Sequence, residues 1–245
     1  MIWHFIEGEE GCAYAVRHGC VAIIVDALRA SATAAYMLNA GATEILAVRE
    51  VEEAFSLAGA YPDALLAGER GGLPPRGFDL GNSPRSVSKV NGRRVIFTTT
   101  TGAGRLVQSW GAHAVYMGST VNATAVARAA ASHQRDVVVV PAGLMSDASY
   151  NAQEDWVGSV AVAMAAATEL GPLEIGEGGH RYTYWHDRIL CDGIEKLFQT
   201  APHAQNLREI GQHEDIAFCA GIDTIATVPV AVERNGLVVR VVAAD

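Results

Sequence analysis

The chain lacks any apolar run approaching the ~20 residues that a membrane-spanning helix needs. Its opening stretch, MIWHFIEGEE, has neither the basic start nor the apolar segment of a secretion signal. Positive charge is scarce, with 18 Lys and Arg against 27 Asp and Glu and a net charge of −9. That balance argues against nucleic acid or an anionic membrane surface as a partner. It still admits a small anionic substrate, because a metal ion and local amides can reverse the field inside a cleft. Cysteine is sparse too. Cys12, Cys20, Cys191 and Cys219 show no CxxC spacing, so neither a zinc site nor a disulfide framework is expected, and reduced thiols fit a cytoplasmic protein. Several catalytic signatures are missing. There is no HExxH, no GxSxG elbow and no Walker lysine, and GAG at 102–104 is too short for a dinucleotide fingerprint. A Rossmann-type dehydrogenase is therefore disfavoured. The histidines, His180 and His186 among them, have no ligand spacing and read as surface or capping residues.

What is present is a core. Half of the 245 residues are hydrophobic, and single α/β domains commonly run to ~250 residues. One domain over 1–245 is expected, with 170–245 as a candidate smaller C-terminal lobe. Strands are predicted at 21–27, 44–49, 64–69, 93–98, 113–118 and 136–143, because each is a short apolar run of the kind buried on both faces. Helices are predicted between them and at 154–170, then at 184–198 and 202–210. Residues 227–242 read as a β-hairpin turning on Asn235-Gly236. The fold class is α/β: three layers, α/β/α, around a mainly parallel, mixed sheet with a C-terminal β-hairpin.

In such folds ligands bind beyond the carboxyl ends of the strands, and the unusual polar groups fall there. Asp26 and Arg29 follow the first predicted strand, Glu69 and Arg70 the third, Thr98 to Gly104 the fourth, and Ser119 and Asn122 the fifth. Gly143, then Glu154 and Asp155, follow the last. The segment 68–84, rich in Gly and Pro, is long for a loop in a compact domain, and such loops are usually either functional or disordered. Residues 71–84 are expected to fold over the strand ends and bring Asp79, Asn82 and Ser83 toward Asp26.

Each feature has a plain structural reading beside the functional one. Asp26 is a helix cap or a site carboxylate, and Arg29 is its partner or a bidentate grip on an anion. The turn at 98–104, with Thr99, Thr100, Thr101 and Gly102, is a tight turn or a phosphate cradle at a helix start. Glu69, Asp79, Glu154 and Asp155 supply the hard oxygens that Mg²⁺ prefers. For Glu154 and Asp155 the alternative is stabilisation of a helix N-terminus.

Taken together, VDALRAS (25–31), GER (68–70), GFDLGNSP (77–84), TTTTG (98–102), GSTVNATAVA (118–127), AG (142–143), ED (154–155) and DIAFCAGIDTIATVP (215–229) resemble the 2-phosphosulfolactate phosphatase family. The resemblance runs over nearly the whole chain in the family's motif order. It implies an α/β fold, a Mg²⁺ requirement and hydrolysis of the phosphate ester of a sulfonated 2-hydroxy acid, a step that in the family leads toward coenzyme M. It suggests site roles for Asp26, Arg29, Glu69, Arg70, Asp79, Asn82, Ser83, Thr99, Glu154 and Asp155. Thr101, Ala103 and Pro141 depart from the family's usual asparagine, threonine and cysteine.

The expected chemistry is transfer of a phosphoryl group to water. Asp26, Arg29, Glu69 and Arg70 are the catalytic candidates. Asp79, Asn82, Ser83, Thr99, Thr100, Thr101, Gly102 and Asn122 are the substrate-binding candidates. Asp26, Glu69, Glu154 and Asp155 are the candidate Mg²⁺ ligands. Asp26 is open to two roles, nucleophile or metal ligand. A second class of function, a binding protein for small phosphorylated acids, is motivated by the three departures. The expected partner is a small anionic phosphorylated substrate, and the hairpin is compatible with a homodimer.

Overall fold

Val21–Val25 is five apolar residues in a row, every one buried. Side chains of a strand alternate between faces. Val21, Ile23 and Val25 enter one core while Ala22 and Ile24 enter another. Each full burial of a Val or Ile contributes about 1.5–3 kcal/mol. A strand apolar on both faces needs a layer of helices on each side, and that requirement organises the molecule.

The structure, a computed structural model, describes residues 1–147 and 149–244. In chain order the first elements are β1 (Ile2–Phe5), α1 (Gly8–His18), β2 (Val21–Val25), α2 (Ala30–Asn39), β3 (Glu44–Ala47), α3 (Val51–Ala60) and β4 (Leu65–Gly68). A long loop leads to β5 (Arg94–Thr98), α4 (Gly102–Ser109), β6 (Ala114–Met117), a 3-10 turn at Thr120–Asn122, α5 (Ala123–Ala131), β7 (Val137–Pro141) and α6 (Gln153–Leu170). Then come β8 (Glu174–Ile175), α7 (Gly179–Asp192), α8 (Ile194–Gln199), α9 (Pro202–Glu209), α10 (Glu214–Ala220), β9 (Pro229–Asn235) and β10 (Val238–Ala243). Among the described residues no helix is long and apolar enough to cross a membrane.

The ten strands form one sheet in the order β4-β5-β3-β10-β9-β6-β2-β7-β1-β8. Helices α1, α2 and α4 cover one face, α5 and α6 cover the other face of the β2–β7 region, and α3 covers that face beside β3 to β5. The three-layer, mainly parallel fold read from the sequence is present. Six strand pairings are parallel and three antiparallel. All three antiparallel pairings involve the C-terminal hairpin, which lies in the middle of the sheet between β3 and β6.

The hairpin reverses direction between the two parallel sets, so β5 and β2 formally run opposite ways. Sheet twist of roughly 20–25° per step, over the five steps from β5 to β2, turns them through about 100–125°. The carboxyl ends of both sets consequently converge. At the seam β9 meets β6 through a single residue pair, Val230 with Tyr116.

Several local expectations need correction. The sequence reading contained neither β1 nor α1, although Trp3 and Phe5 are among the largest buried side chains. The predicted helix at 184–198 is two helices separated by Gly193. The hairpin turns on Gly236-Leu237, because Asn235 still pairs with Val238. Gly236 has φ 58° at the first central position, the position at which a type II′ turn calls for glycine.

Candidate active site

At the converging strand ends lies a cavity of about 390 Å³. Its floor is formed by Asp26 after β2, Glu69 after β4, Thr100 and Thr101 after β5, Gly143 after β7, and Glu154 and Asp155 in the first turn of α6. Asn82 enters from the long loop, and α9 closes the far side with His203, Asn206 and Leu207.

Asp26 is placed by its own strand and by the start of the next helix. Its Oδ1 accepts the Ala30 amide at 3.0 Å, and its amide donates to Ser31 Oγ at 3.0 Å. A Cβ on Gly102 would stand 2.8 Å from Asp26 Oδ2 and 2.6 Å from Ala30 Cβ. The absence of a side chain there lets the α4 start press against the carboxylate. Burial pushes the Asp26 carboxyl up to about 6, the Ala30 and Gly102 amides hold it down, and Glu69 pushes it up further.

Glu154 and Asp155 are adjacent, yet the structure separates their roles. Asp155 Oδ1 accepts the Ala27 amide at 2.8 Å and Oδ2 accepts the Gly143 amide at 3.0 Å. It therefore ties the ends of β2 and β7 together. Glu154 is 3% exposed and its Oε2 has no partner among the described residues. Burial raises the Glu154 carboxyl to about 8, and the nearby Asp26 adds to the rise. Burial likewise holds Asp155 well above the ordinary carboxylate range, aided by Glu154 and Asp26.

Glu69 resembles Asp155 more than Glu154. Its Oε1 accepts the Thr100 amide at 2.7 Å and its Oε2 the Gly72 amide at 2.8 Å. Arg29 is 2% exposed and joined to Leu28 by a cis peptide bond. Its Nη1 donates to Asp215 Oδ2 at 2.6 Å and its Nη2 to the Gly72 carbonyl at 2.8 Å, while Nε has no partner among the described residues.

The remaining sequence candidates divide by position. The loop 71–84 does fold over the strand ends, and Asn82 lines the cavity, its Oδ1 without a partner among the described residues. Ser83 instead donates to Asp215 Oδ1 at 2.8 Å. Asp79 lies at the sheet edge, where its Oδ2 accepts the Leu66 amide at 2.8 Å and occupies a spare donor of edge strand β4. Arg70 does not line the cavity. It donates to the carbonyls of Glu69 and Arg49 at 2.7 and 2.6 Å and to Thr98 Oγ1 at 3.0 Å. Thr99 Oγ1 accepts the Ala103 amide at 3.0 Å and caps the first turn of α4. Asn122 is enclosed below the site. It accepts the Ser119 amide at 3.0 Å and donates to the Thr227 carbonyl at 3.0 Å.

Three residues near the cavity were not singled out in the sequence. The Tyr150 hydroxyl is buried without a partner among the described residues. Burial, with Glu154 and Asp155 nearby, raises its pKa. His203 is held below its ordinary pKa by burial and by Arg29. Asp215, fully buried, pairs with Arg29. No periodicity marks any of them. Asp215 does open DIAFCAGIDTIATVP, and that was the one available signal.

The class that the fold and site define is a three-layer α/β protein with a carboxylate-rich cavity at its strand ends and a buried arginine beside it. Residues 9–234 match the family described as 2-phosphosulpholactate phosphatase. A probable 2-phosphosulfolactate phosphatase of Deinococcus radiodurans is 38% identical over 218 residues, 86% of this chain and 88% of that protein. Proteins of the same description from Symbiobacterium thermophilum and Carboxydothermus hydrogenoformans are 35% and 33% identical. They cover 88% and 84% of this chain and 92% and 84% of their own lengths. The chain belongs to the 2-phosphosulfolactate phosphatase family, a family of phosphoric monoester hydrolases.

Proposed function

We propose that the protein hydrolyses 2-phosphosulfolactate, the phosphate ester of a small sulfonated 2-hydroxy acid, to sulfolactate and inorganic phosphate with the aid of Mg²⁺. One observation carries the reading. Asp26 shares a single cavity with Arg29, Asn82, Tyr150 and Glu154, and each of these four carries a buried polar atom with no partner among the described residues: Arg29 Nε, Asn82 Oδ1, Tyr150 OH and Glu154 Oε2. Leaving buried polar groups unpaired costs about 1–3 kcal/mol each, so their convergence supports a polar ligand.

The donor chemistry fits Mg²⁺. Among the described residues no group of three or more His, Cys, Asp or Glu is arranged to hold a metal. Mg²⁺ does not need one, since it takes one or two carboxylates and completes its shell with water and substrate phosphate. Glu154, whose Oε2 has no partner among the described residues, and the neighbouring Asp26 would hold it, whereas each oxygen of Glu69 and of Asp155 already accepts a backbone amide. Bound there, Mg²⁺ supplies the positive charge that lets a phosphate approach a cavity rich in acids.

The other parts follow from this chain's own groups. The free edge of Arg29 donates to the phosphate oxygens. The start of α4, beside Thr101, favours negative charge. Asp26 acts on phosphorus as nucleophile or orients the attacking water. Rapid acid quenching separates these two, because only the first leaves an aspartyl-phosphate on the protein. Tyr150 and His203 enclose the cavity and limit access of bulk water.

The test is phosphate release from a panel of phosphorylated 2-hydroxy acids. Activity should vanish with EDTA and return with Mg²⁺. Full activity after exhaustive removal of divalent ions would sink the metal assignment. Tight binding of the panel without any release would favour the binding-protein reading.

A further inference from the structure

We infer that Asp215 is a positioning residue for phosphate recognition, fixing the Arg29 guanidinium so that its Nε edge faces the cavity. The inference rests on the phosphatase reading and extends it to a residue outside the cavity lining. A guanidinium has five N–H donors in a planar fork. On Arg29 both Nη1 hydrogens have acceptors, Asp215 Oδ2 at 2.6 Å and Gln212 Oε1 at 3.5 Å. One Nη2 hydrogen goes to the Gly72 carbonyl at 2.8 Å. Nε–H has no acceptor among the described residues, and Gly72 takes only one of the two Nη2 hydrogens. Nε and Nη2 lie on one edge of the fork, the arrangement that matches two oxygens of a phosphate.

Asp215 is itself held. Its side chain is 0% exposed, and its other oxygen accepts the Ser83 hydroxyl at 2.8 Å. The opposite side of the fork is fixed through Gly72, whose amide donates to Glu69 Oε2 at 2.8 Å. Arg29 is thus clamped between α10, the long loop and the end of β4. A buried ion pair is seldom the most stable way to fill a core, because desolvation offsets its attraction. Here it leaves one donor edge free and immobile, so ordering of a long side chain need not accompany ligand binding.

The experiment measures inorganic phosphate binding by calorimetry, in Mg²⁺ and without it, for the wild type, Asp215→Asn, Arg29→Lys and the double variant. Asp215→Asn should bind phosphate at least ~10-fold more weakly, as expected for loss of a charge-assisted contact. In the Arg29→Lys background the same change should cost under ~2-fold, because a residue acting through Arg29 has nothing left to orient. Ser83→Ala, which keeps the ion pair, should weaken binding by about 2–5-fold. It decides the matter should Asp215→Asn fail to fold. Equal phosphate affinity in wild type and Asp215→Asn, or additive losses in the double variant, overturns the inference and leaves the phosphatase reading intact. A wild type that binds no phosphate under either condition overturns both.

Discussion

The two parallel sets of strands contribute different things to one cavity. The β4-β5-β3 set brings Glu69, Thr100 and Thr101, and Glu69 already accepts a backbone amide on each oxygen. The β6-β2-β7-β1-β8 set brings Asp26 and, through α6, Glu154, whose Oε2 is left without a partner among the described residues. Both sides carry carboxylates, so composition alone would grant them equal parts. Hydrogen-bond accounting does not. The first side's carboxylate is taken up with backbone amides, whereas the second side, besides Asp155 tying β2 to β7, holds in Glu154 a carboxylate oxygen with capacity to spare for a ligand.

The sharpest way to break this comparison is Asp26→Asn. It keeps the volume and removes the charge, so turnover should fall at least ~10³-fold, about 4 kcal/mol of transition-state stabilisation. Steady-state kinetics at saturating Mg²⁺ checks it. Near-normal turnover would reduce Asp26 to a helix cap and move the chemistry toward the other set of strands.

A smaller effect concerns pH. Burial raises Asp26 from an ordinary 3.8 to about 6 and Glu154 from 4.5 to about 8. The two interact, so they titrate as a pair. Raised carboxyl values mean that the folded state binds more protons than the unfolded state. Stability of the metal-free protein should therefore fall as pH rises from about 4 to about 8. Mg²⁺ competes with those protons and should raise Tm more at pH 8 than at pH 5. Glu154→Gln should flatten the decline. Thermal melts of both proteins across that range test this, and identical slopes would contradict the pairing.

Least affected should be turnover in Glu69→Gln. Its new amide N–H faces a backbone N–H that has lost its acceptor, a cost of about 1–3 kcal/mol in stability. Turnover should drop only ~10-fold or less, and added Mg²⁺ should not restore it. A loss matching Asp26→Asn, recovered by excess Mg²⁺, would return Glu69 to the metal.

The strands of the centre were legible because a run such as VVVV has little choice but to be buried on both faces. Asp26 was legible because it interrupts such a run at the end where ligands bind. Glu154 and Asp155 were visible as a pair, but no pattern could tell a carboxylate that clamps two strand ends from its neighbour that clamps nothing. Asp79 was read as a ligand because its loop looked functional, and the loop's first task proved to be covering an edge strand. The region after 171 was least readable. After α7 its helices have eight residues or fewer, and the contacts of His203 and Asp215 with the site cross more than 130 residues of sequence. β1 escaped because four residues containing His and Trp show no period.

The hairpin carries a consequence in time. A chain is made from its N-terminus onward, so β9 and β10 emerge after every strand they join. Until they arrive, no strand-to-strand ladder joins β4-β5-β3 to β6-β2-β7-β1-β8. Asp26 and Glu69 can each be correctly placed in its own sub-sheet while the cavity they line does not yet exist. Assembly of the enzyme is thus a splice made by its last two strands, and a lesion in a solvent-facing turn such as Gly236-Leu237 can silence a site to which it contributes no atom.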